Sequence, residues 1–285
     1  MAKTIIKNFY RFGRADEINI VPLGDLHLGA SACDEGLFLQ TVKRINDSGA
    51  YWIGMGDYCD FINVRDPRFR AATLAPWITV HQLGDLAEAQ KNRFLDYVKP
   101  IASKCLALVK GNHEDTIHKY YERDIYSEIV TGVKKHGGFA ADEDLGVDYY
   151  GWLVLRFSRG KEDSRAANKR SITFNLHHGF VGGKLAGAKA LSMQRWLWNH
   201  ETDVVIFGHS HNTGAQREAI EYIDTHGNVR TKNRVGCYSG TFLKSTNGGV
   251  STYSEVKGYF PLPIGGVEIV VRPYDKHEQF VRVTM

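Results

Sequence analysis

Five short segments of the chain each end an apolar run with side chains able to bind metal ions. They are Asp25-Leu26-His27, Asp57-Tyr58-Cys59-Asp60, Asn112-His113-Glu114, His177-His178 and His209-Ser210-His211. Carboxylate, imidazole and amide oxygen together form the ligand set of manganese, iron, zinc and similar divalent ions. In Asp25-x-His27 and His209-x-His211, side chains two apart point the same way on extended backbone, so both members of a pair can reach one ion. Glycine precedes four of the groups, at Gly24, Gly56, Gly111 and Gly208, where it lets the chain turn sharply beside an ion. Asp25, His27, Asp57, Asn112, His209, His211 and one histidine of the 177/178 pair make seven ligating groups. A single ion of this kind takes about six at most. Two ions are therefore expected, and one bridging carboxylate would give each of them four protein ligands.

The elements that must carry these groups are legible in the apolar pattern. Ile18–Leu23, Tyr51–Met55, Cys105–Val109, Ile172–Leu176 and Val204–Phe207 have the length and character of buried strands. Pro22 predicts that the first strand ends there or runs irregularly. Phe38, Val42 and Ile45 are spaced for one helix face. Leu83, Leu86, Ala87, Phe94 and Val98 suit a second helix, and Leu191, Met193, Trp196 and Leu197 a third whose apolar stripe is core packing. Strands alternating with helices predict an α/β protein. In such sheets ligands bind at the carboxyl ends of the strands, which is where all five polar groups fall. Tyr149, Tyr150 and Trp152 suit a sheet edge. Ser158–Arg170 and Thr241–Ser254 read as surface loops, and residues 1–285 as a single domain.

The ordered set Asp25-x-His27, Gly56-Asp57-x-x-Asp60, Gly111-Asn112-His113-Glu114, His177/His178-Gly179 and Gly208-His209-x-His211 resembles the calcineurin-like metallophosphoesterase superfamily. Gly236-Cys237-Tyr238-Ser239-Gly240-Thr241 is similar to the turn that follows the last motif in that family. The resemblance implies two facing mixed β-sheets, a β-sandwich, flanked by helices. It implies Asp25, His27 and His211 on one metal ion and Asn112, His209 and one of the paired histidines on the other. His177 is preferred over His178, because family members with such a pair generally use the first. Asp57 would bridge the two ions. Manganese is the first expectation for both positions, with iron, zinc, nickel or magnesium as alternatives. Paired ions clamp a phosphoryl group and lower the pKa of the water between them, so that hydroxide attacks phosphorus in line. His113, next to a ligand and not one itself, is then available as the general acid for the leaving oxygen. The family pattern pairs it with Asp60, whose carboxylate would orient the imidazole.

Two further features bear on the substrate. Protein phosphatases of this type carry Arg-Gly after the second aspartate, where this chain has Phe61-Ile62. Asp25-x-His27-Leu28-Gly29 is similar to the opening motif of the DNA-repair nuclease branch. A phosphodiesterase or nuclease acting on nucleic acid or nucleotide is therefore favoured over a phosphomonoesterase for small molecules or phosphoproteins. A metal-bearing interaction module without turnover is the third reading. The net charge of +4 permits an anionic substrate without demanding one. Arg65, Arg68 and Arg70 are candidates for phosphate contact, against the plainer reading of a solvated loop. Gly182-Gly183-Lys184 is a candidate phosphate-cradling turn. Glu114 reads as structural or as a support for a histidine ligand.

The chain has four widely spaced cysteines, Cys33, Cys59, Cys105 and Cys237. They form neither a CxxC pair nor a disulfide framework, so they are read as reduced thiols of a cytoplasmic protein. The basic residues of the first fourteen positions flank no apolar run, so no secretory signal is expected. No apolar run long enough to span a membrane exists.

Overall fold

Each buried strand turns alternate side chains to opposite faces, and here both faces are covered. In the computed structural model, which describes residues 2–161, 169–179, 185–275 and 281–284, the strands and helices follow in this order. They are β1 (Lys3–Phe9), β2 (Ile18–Leu23), α1 (Glu35–Ser48), β3 (Tyr51–Gly54), α2 (Leu86–Val98), β4 (Cys105–Leu108), α3 (Asn112–Tyr121), α4 (Ile125–Gly137), β5 (Tyr150–Ser158), β6 (Lys169–His177), α5 (Ala186–Asn199), β7 (Val204–Phe207), β8 (Thr213–Ile223), β9 (Val229–Ser239), α6 (Tyr253–Lys257), β10 (Glu268–Val271) and β11 (Val281–Thr284). The strands form two mixed sheets, ordered β1-β5-β6-β7-β9-β8 and β11-β10-β2-β3-β4. The α/β architecture of two facing sheets flanked by helices is thus the one observed.

Ile18 and Ile20 of β2, Ile53 of β3, Leu106 and Ala107 of β4, Phe174 and Leu176 of β6, and Val204 and Ile206 of β7 fill the seam between the sheets. The alternate residues face outward. Val21, Leu23, Trp52 and Leu108 meet α1, α2 and α4, while Val205 and Phe207 meet Met193 and Leu197 of α5. Phe38, Val42 and Ile45 are the buried residues of α1, as their spacing requires. Leu86, Ala87, Phe94 and Val98 are buried on α2, and Leu83 falls in the 3-10 turn Val80–Asp85 just before it. On α5 the expectation fails in part, because Leu191 points to solvent and is 44% exposed.

Pro22 lies within β2, opposite Ile53. It is tolerated because β10 pairs with β2 only at Ile18, Asn19 and Ile20, so the missing N–H of Pro22 falls beyond the end of that neighbour. Tyr150 and Trp152 sit one strand in from the edge, since the amino-terminal strand β1 pairs in parallel outside them. Of the two expected loops, residues 162–168 lie outside the described residues, while 241–252 is indeed irregular. Residues 182–184 also lie outside them. All four cysteines are unpaired. No helix among the described residues is long and apolar enough to cross a membrane.

A charged clamp joins α2 to α4. Glu128 accepts from Arg123 Nε at 2.6 Å and from Lys91 Nζ at 2.7 Å. The Arg123 bonds, aided by Lys91, outweigh burial and hold the Glu128 carboxyl at about 2. Glu128→Gln is expected to destabilise the fold by roughly 1 kcal/mol at neutral pH, the scale of a partly exposed network. The folded pKa is depressed, so this stabilisation is full above the usual carboxylate range and is lost as pH falls towards 2. Thermal melts at pH 7 and pH 3 should show the gap between wild type and variant narrowing at the lower pH; an equal gap at both would refute the pairing.

Candidate metal centre

All the candidate groups arrive at one end of the two sheets. Asp25 and His27 follow β2, Asp57 follows β3, Asn112 opens α3 after β4, His178 follows β6, and His209 and His211 follow β7. The backbone there is not the extended chain expected for the two x-separated pairs. Asp25, His27, Asp57, His209 and His211 all have positive φ, between 49° and 60°. Asp and His tolerate the left-handed region better than most residues, at a cost of about 1–3 kcal/mol each. Hydrogen bonds hold the strained turns together. Asp25 N–H donates to Gly56 O at 3.0 Å, while Leu26 N–H and His27 N–H donate to Asp57 O at 3.0 and 3.1 Å. Thr241 Oγ1 and Phe242 N–H donate to Asp25 O at 2.8 and 3.1 Å, so the turn after β9 supports the first ligand pair.

Two of the glycines are dictated by crowding. A Cβ on Gly56, whose φ is +89°, would lie 2.6 Å from His178 Nδ1, and one on Gly111 would lie 2.2 Å from Asp57 Oδ1. Glu114 explains why these turns approach so closely. Its buried carboxylate accepts from the N–H groups of Asp57, Tyr58 and Gly111 at 3.0, 2.9 and 2.8 Å. It therefore ties the ends of β3 and β4 together and does not support a histidine. Burial and the neighbouring Asp57 push its pKa up to about 7. The sequence signal was present: a Glu three residues after Gly111 is the far half of a capping box on α3.

Potential ligand atoms of Asp25, His27 and His211 lie within 4.8 Å of one another, and so do those of Asp57, His178 and His209. Asp57 stands between the two sets, with Oδ2 3.3 Å from His178 Nε2 and 4.0 Å from His27 Nε2. Its other oxygen is held by the His113 N–H at 2.9 Å. Asn112 Oδ1 lies 3.0 Å from His178 Nε2. His27 Nε2 and His211 Nε2 are 3.1 Å apart, and His211 Nε2 is 3.5 Å from Asp25 Oδ1. Asp25 is fully buried, yet neither carboxylate oxygen has a hydrogen-bond donor among the described residues. A buried anion without donors is costly, and two imidazoles and a carboxylate aimed at one point are what a divalent cation requires. The residues fit a pair of such ions.

Within the histidine pair the structure brings one member into the cluster and leaves the other outside it. His178, not His177, stands beside Asp57, Asn112 and His209. His177 Nδ1 accepts from Gly179 N–H at 2.7 Å, and its ring packs on Trp196 and Phe207, 4.9 and 5.7 Å away between centroids. The cause is strand parity. Ile172, Phe174 and Leu176 face the seam between the sheets, so His178 continues that face and His177 lies on the opposite one.

Burial and neighbouring charges act against each other in the cluster. Burial pulls the His178 imidazolium down, but Asp57 outweighs it and the pKa rises to about 10. Burial likewise opposes ionisation of Asp57, but His178, His113 and His27 hold it well below the carboxylate range. Burial, aided by Asp57, raises Asp25. His27, His209 and His211 are lowered by burial first and by their histidine neighbours next. His178 thus holds its proton up to about pH 10 and must lose it to bind a cation. Cation uptake at this position between pH 6 and 9 is expected to release one proton, with affinity falling ~10-fold per unit of falling pH. Calorimetric titration in buffers of differing ionisation enthalpy measures this release. His178→Ala should abolish both the release and one of two bound ions, and His177→Ala neither; the reverse pattern would restore His177 as the ligand.

His113 and Asp60 are brought together, but not by the expected contact. His113 Nδ1 donates to the backbone carbonyl of Asp60. The Asp60 carboxylate lies 3.9 Å from His113 Nδ1 and 3.6 Å from His27 Nδ1, both too long for a hydrogen bond. Arg65 donates to Tyr120 O at 3.1 Å and covers the Tyr121 ring, while Arg68 grips Asp66 at 2.7 Å. The loop carrying these arginines is therefore fastened to α3. Burial raises the Cys59 thiol far above its usual pKa, the property of a packed side chain and not of a redox sensor.

Residues 18–213, which include every candidate residue above, match the family model described as calcineurin-like phosphoesterase. No curated protein matches the chain. Among solved structures, it is similar to a conserved uncharacterized protein of Streptococcus pneumoniae TIGR4 described as a predicted phosphoesterase. The identity is 10%, with 94% of this chain and 98% of that one covered and a TM-score of 0.33. It is also similar to a Vps29 double mutant of Entamoeba histolytica, at 11% identity, 94% and 97% coverage and a TM-score of 0.36. A third is Vps29 of Chaetomium thermophilum, at 14% identity, 94% coverage of both chains and a TM-score of 0.35. At these values the three carry no functional weight.

Proposed function

Because the chain belongs to the calcineurin-like phosphoesterase family, we propose that it is a metal-dependent hydrolase that cleaves phosphodiester bonds in nucleic acid or nucleotides. The observation that carries this reading is Asp57, whose Oδ2 faces His178 on one side and His27 on the other. Asp25, His27 and His211 would hold one divalent cation, Asn112, His178 and His209 the other, and Asp57 would belong to both. Manganese is the first candidate for the pair. When bound, such ions supply Lewis acidity towards phosphoryl oxygens and an activated water.

The chain's own contribution is positioning and a proton. Because a carbonyl oxygen only accepts, the bond to Asp60 O fixes the His113 proton on Nδ1 and leaves Nε2 as the nitrogen that can serve the leaving oxygen. Support for a diester over a protein substrate comes from Phe61. Its side chain is fully buried and its N–H is held by Gln90 Oε1 at 2.9 Å. The position occupied by arginine in the family's protein phosphatases thus offers no cation to a phosphoprotein.

The test is to offer manganese-loaded protein bis-p-nitrophenyl phosphate, p-nitrophenyl phosphate and labelled single- and double-stranded DNA. Preference for the diester or DNA supports the proposal. Preference for the monoester replaces it with a phosphomonoesterase. Absence of turnover with every divalent metal tried replaces it with a metal-bearing interaction module.

A further inference from the structure

Lys189 of α5 is 7% exposed, and among the described residues no carboxylate pairs with it. Burying an ammonium without a counter-charge is costly, and an apolar side chain would serve packing alone better. Its Nζ donates to the carbonyl oxygen of Ser210 at 3.1 Å and to Asn212 Oδ1 at 2.9 Å. Ser210 lies between His209 and His211, both at positive φ, in a turn whose Ser210 N–H reaches back to Gly208 O at 2.6 Å. The other end of the link is equally fixed. Tyr238 Oη donates to Lys189 O at 2.7 Å, while Met193 and Leu197 seat α5 on Val205 and Phe207. A rigid path therefore runs from the sheet, through α5 and the lysine side chain, to a strained turn that carries one candidate ligand of each ion.

We infer that Lys189 is a positioning residue that sets the reach of His209 and His211, so that its removal weakens both cation positions together. This rests on the metal-centre reading above. A lysine here adds positive charge beside a cation site, which no ligand-field or packing need explains. Its two acceptors explain it, because a peptide carbonyl and an amide oxygen both on the histidine turn demand a donor at that point.

The test uses Lys189→Met, which keeps most of the side chain's length and apolar stem but removes the donors. Protein stripped with EDTA is titrated with Mn²⁺ by calorimetry, and bound manganese is counted after dialysis. Thermal midpoints of the stripped proteins report the fold separately. Expected is a drop of about 10–100-fold in affinity at both positions, the scale of lost supporting groups around a metal, with an altered exchange-coupled manganese EPR spectrum. Asn212→Ala, which leaves the Ser210 contact, should give a smaller loss in the same direction. Wild-type affinity and spectrum in Lys189→Met would overturn the inference. If Lys189→Met does not fold, Asn212→Ala decides, and wild-type affinity there overturns it equally. Wild-type protein that itself fails to bind two ions would instead overturn the metal-centre reading, so the two failures are distinguishable.

Discussion

An Asp57→Asn protein is expected to lose turnover entirely and to bind neither cation tightly. The substitution is nearly isosteric, so the loss is chemical. Oδ1 accepts from His113 N–H at 2.9 Å and Oδ2 faces His178 and His27. An asparagine can keep the first contact only by placing its oxygen there, which turns its NH₂ group towards the two imidazoles. An amide nitrogen does not ligate, so both positions lose their common ligand. Removing the carboxylate also removes what holds the His178 proton near pH 10. The His178-linked proton release should therefore disappear along with tight uptake. Affinity should fall by more than the ~10–100-fold that loss of a supporting group costs, because a ligand itself is gone. Metal counting after dialysis, beside kinetics on the preferred diester, measures both effects. A variant that retained two ions and measurable turnover would remove Asp57 from its bridging place.

His113→Ala should separate catalysis from metal binding. The contact between residue 113 and Asp57 is made by backbone, and an alanine N–H still donates to Asp57 Oδ1. The shared carboxylate therefore keeps its position while the imidazole is lost. The rate should fall roughly 10²–10⁴-fold, the range for loss of a general acid, with both ions retained. The loss should fall on kcat, and it should shrink for substrates whose leaving group needs no proton, such as p-nitrophenolate. Asp60→Asn should cost far less, because the carbonyl of residue 60 and not its carboxylate holds the His113 ring. Metal loss in His113→Ala would reassign that residue as a ligand beside His27 and Asp57.

Legibility in the sequence followed how much each element depends on its own apolar pattern. β2, β3, β4 and β7 are buried on both faces, so each shows as a short apolar run, and β6 shows one from Ile172 to Leu176 after its exposed start at Lys169–Ser171. The hairpin of β8 and β9 shows no such run, because Thr213–Ile223 alternates half-buried with exposed positions and carries Arg217, Glu218 and Glu221 in its middle. β1 shows in the sequence only as a basic terminus, since Ile5 is its one buried residue. Within the site, every candidate ligand except His177 reached the cluster. Strand parity carries the distinction: Ile172, Phe174, Leu176 and His178 form one period-two series, which turns His178 and not His177 to the inward face. The left-handed backbone of the ligand turns was not readable, because hydrogen bonds between distant loops impose it. Nor was the buried partnership of Lys189, which depends on where α5 meets the turn after β7.

The candidate ligands are drawn from both halves of the sandwich: Asp25, His27, Asp57 and Asn112 from the sheet of β2, β3 and β4, and His178, His209 and His211 from the sheet of β6 and β7. Interiors are packed too tightly to absorb even a single methylene without displacement. A bound ion pair would therefore act as a calliper across the seam, its spacing reporting how the two sheets are seated on each other. The hold on such ions would then depend on residues such as Ile53 and Phe174, which lie buried in the seam and are not among the candidate ligands.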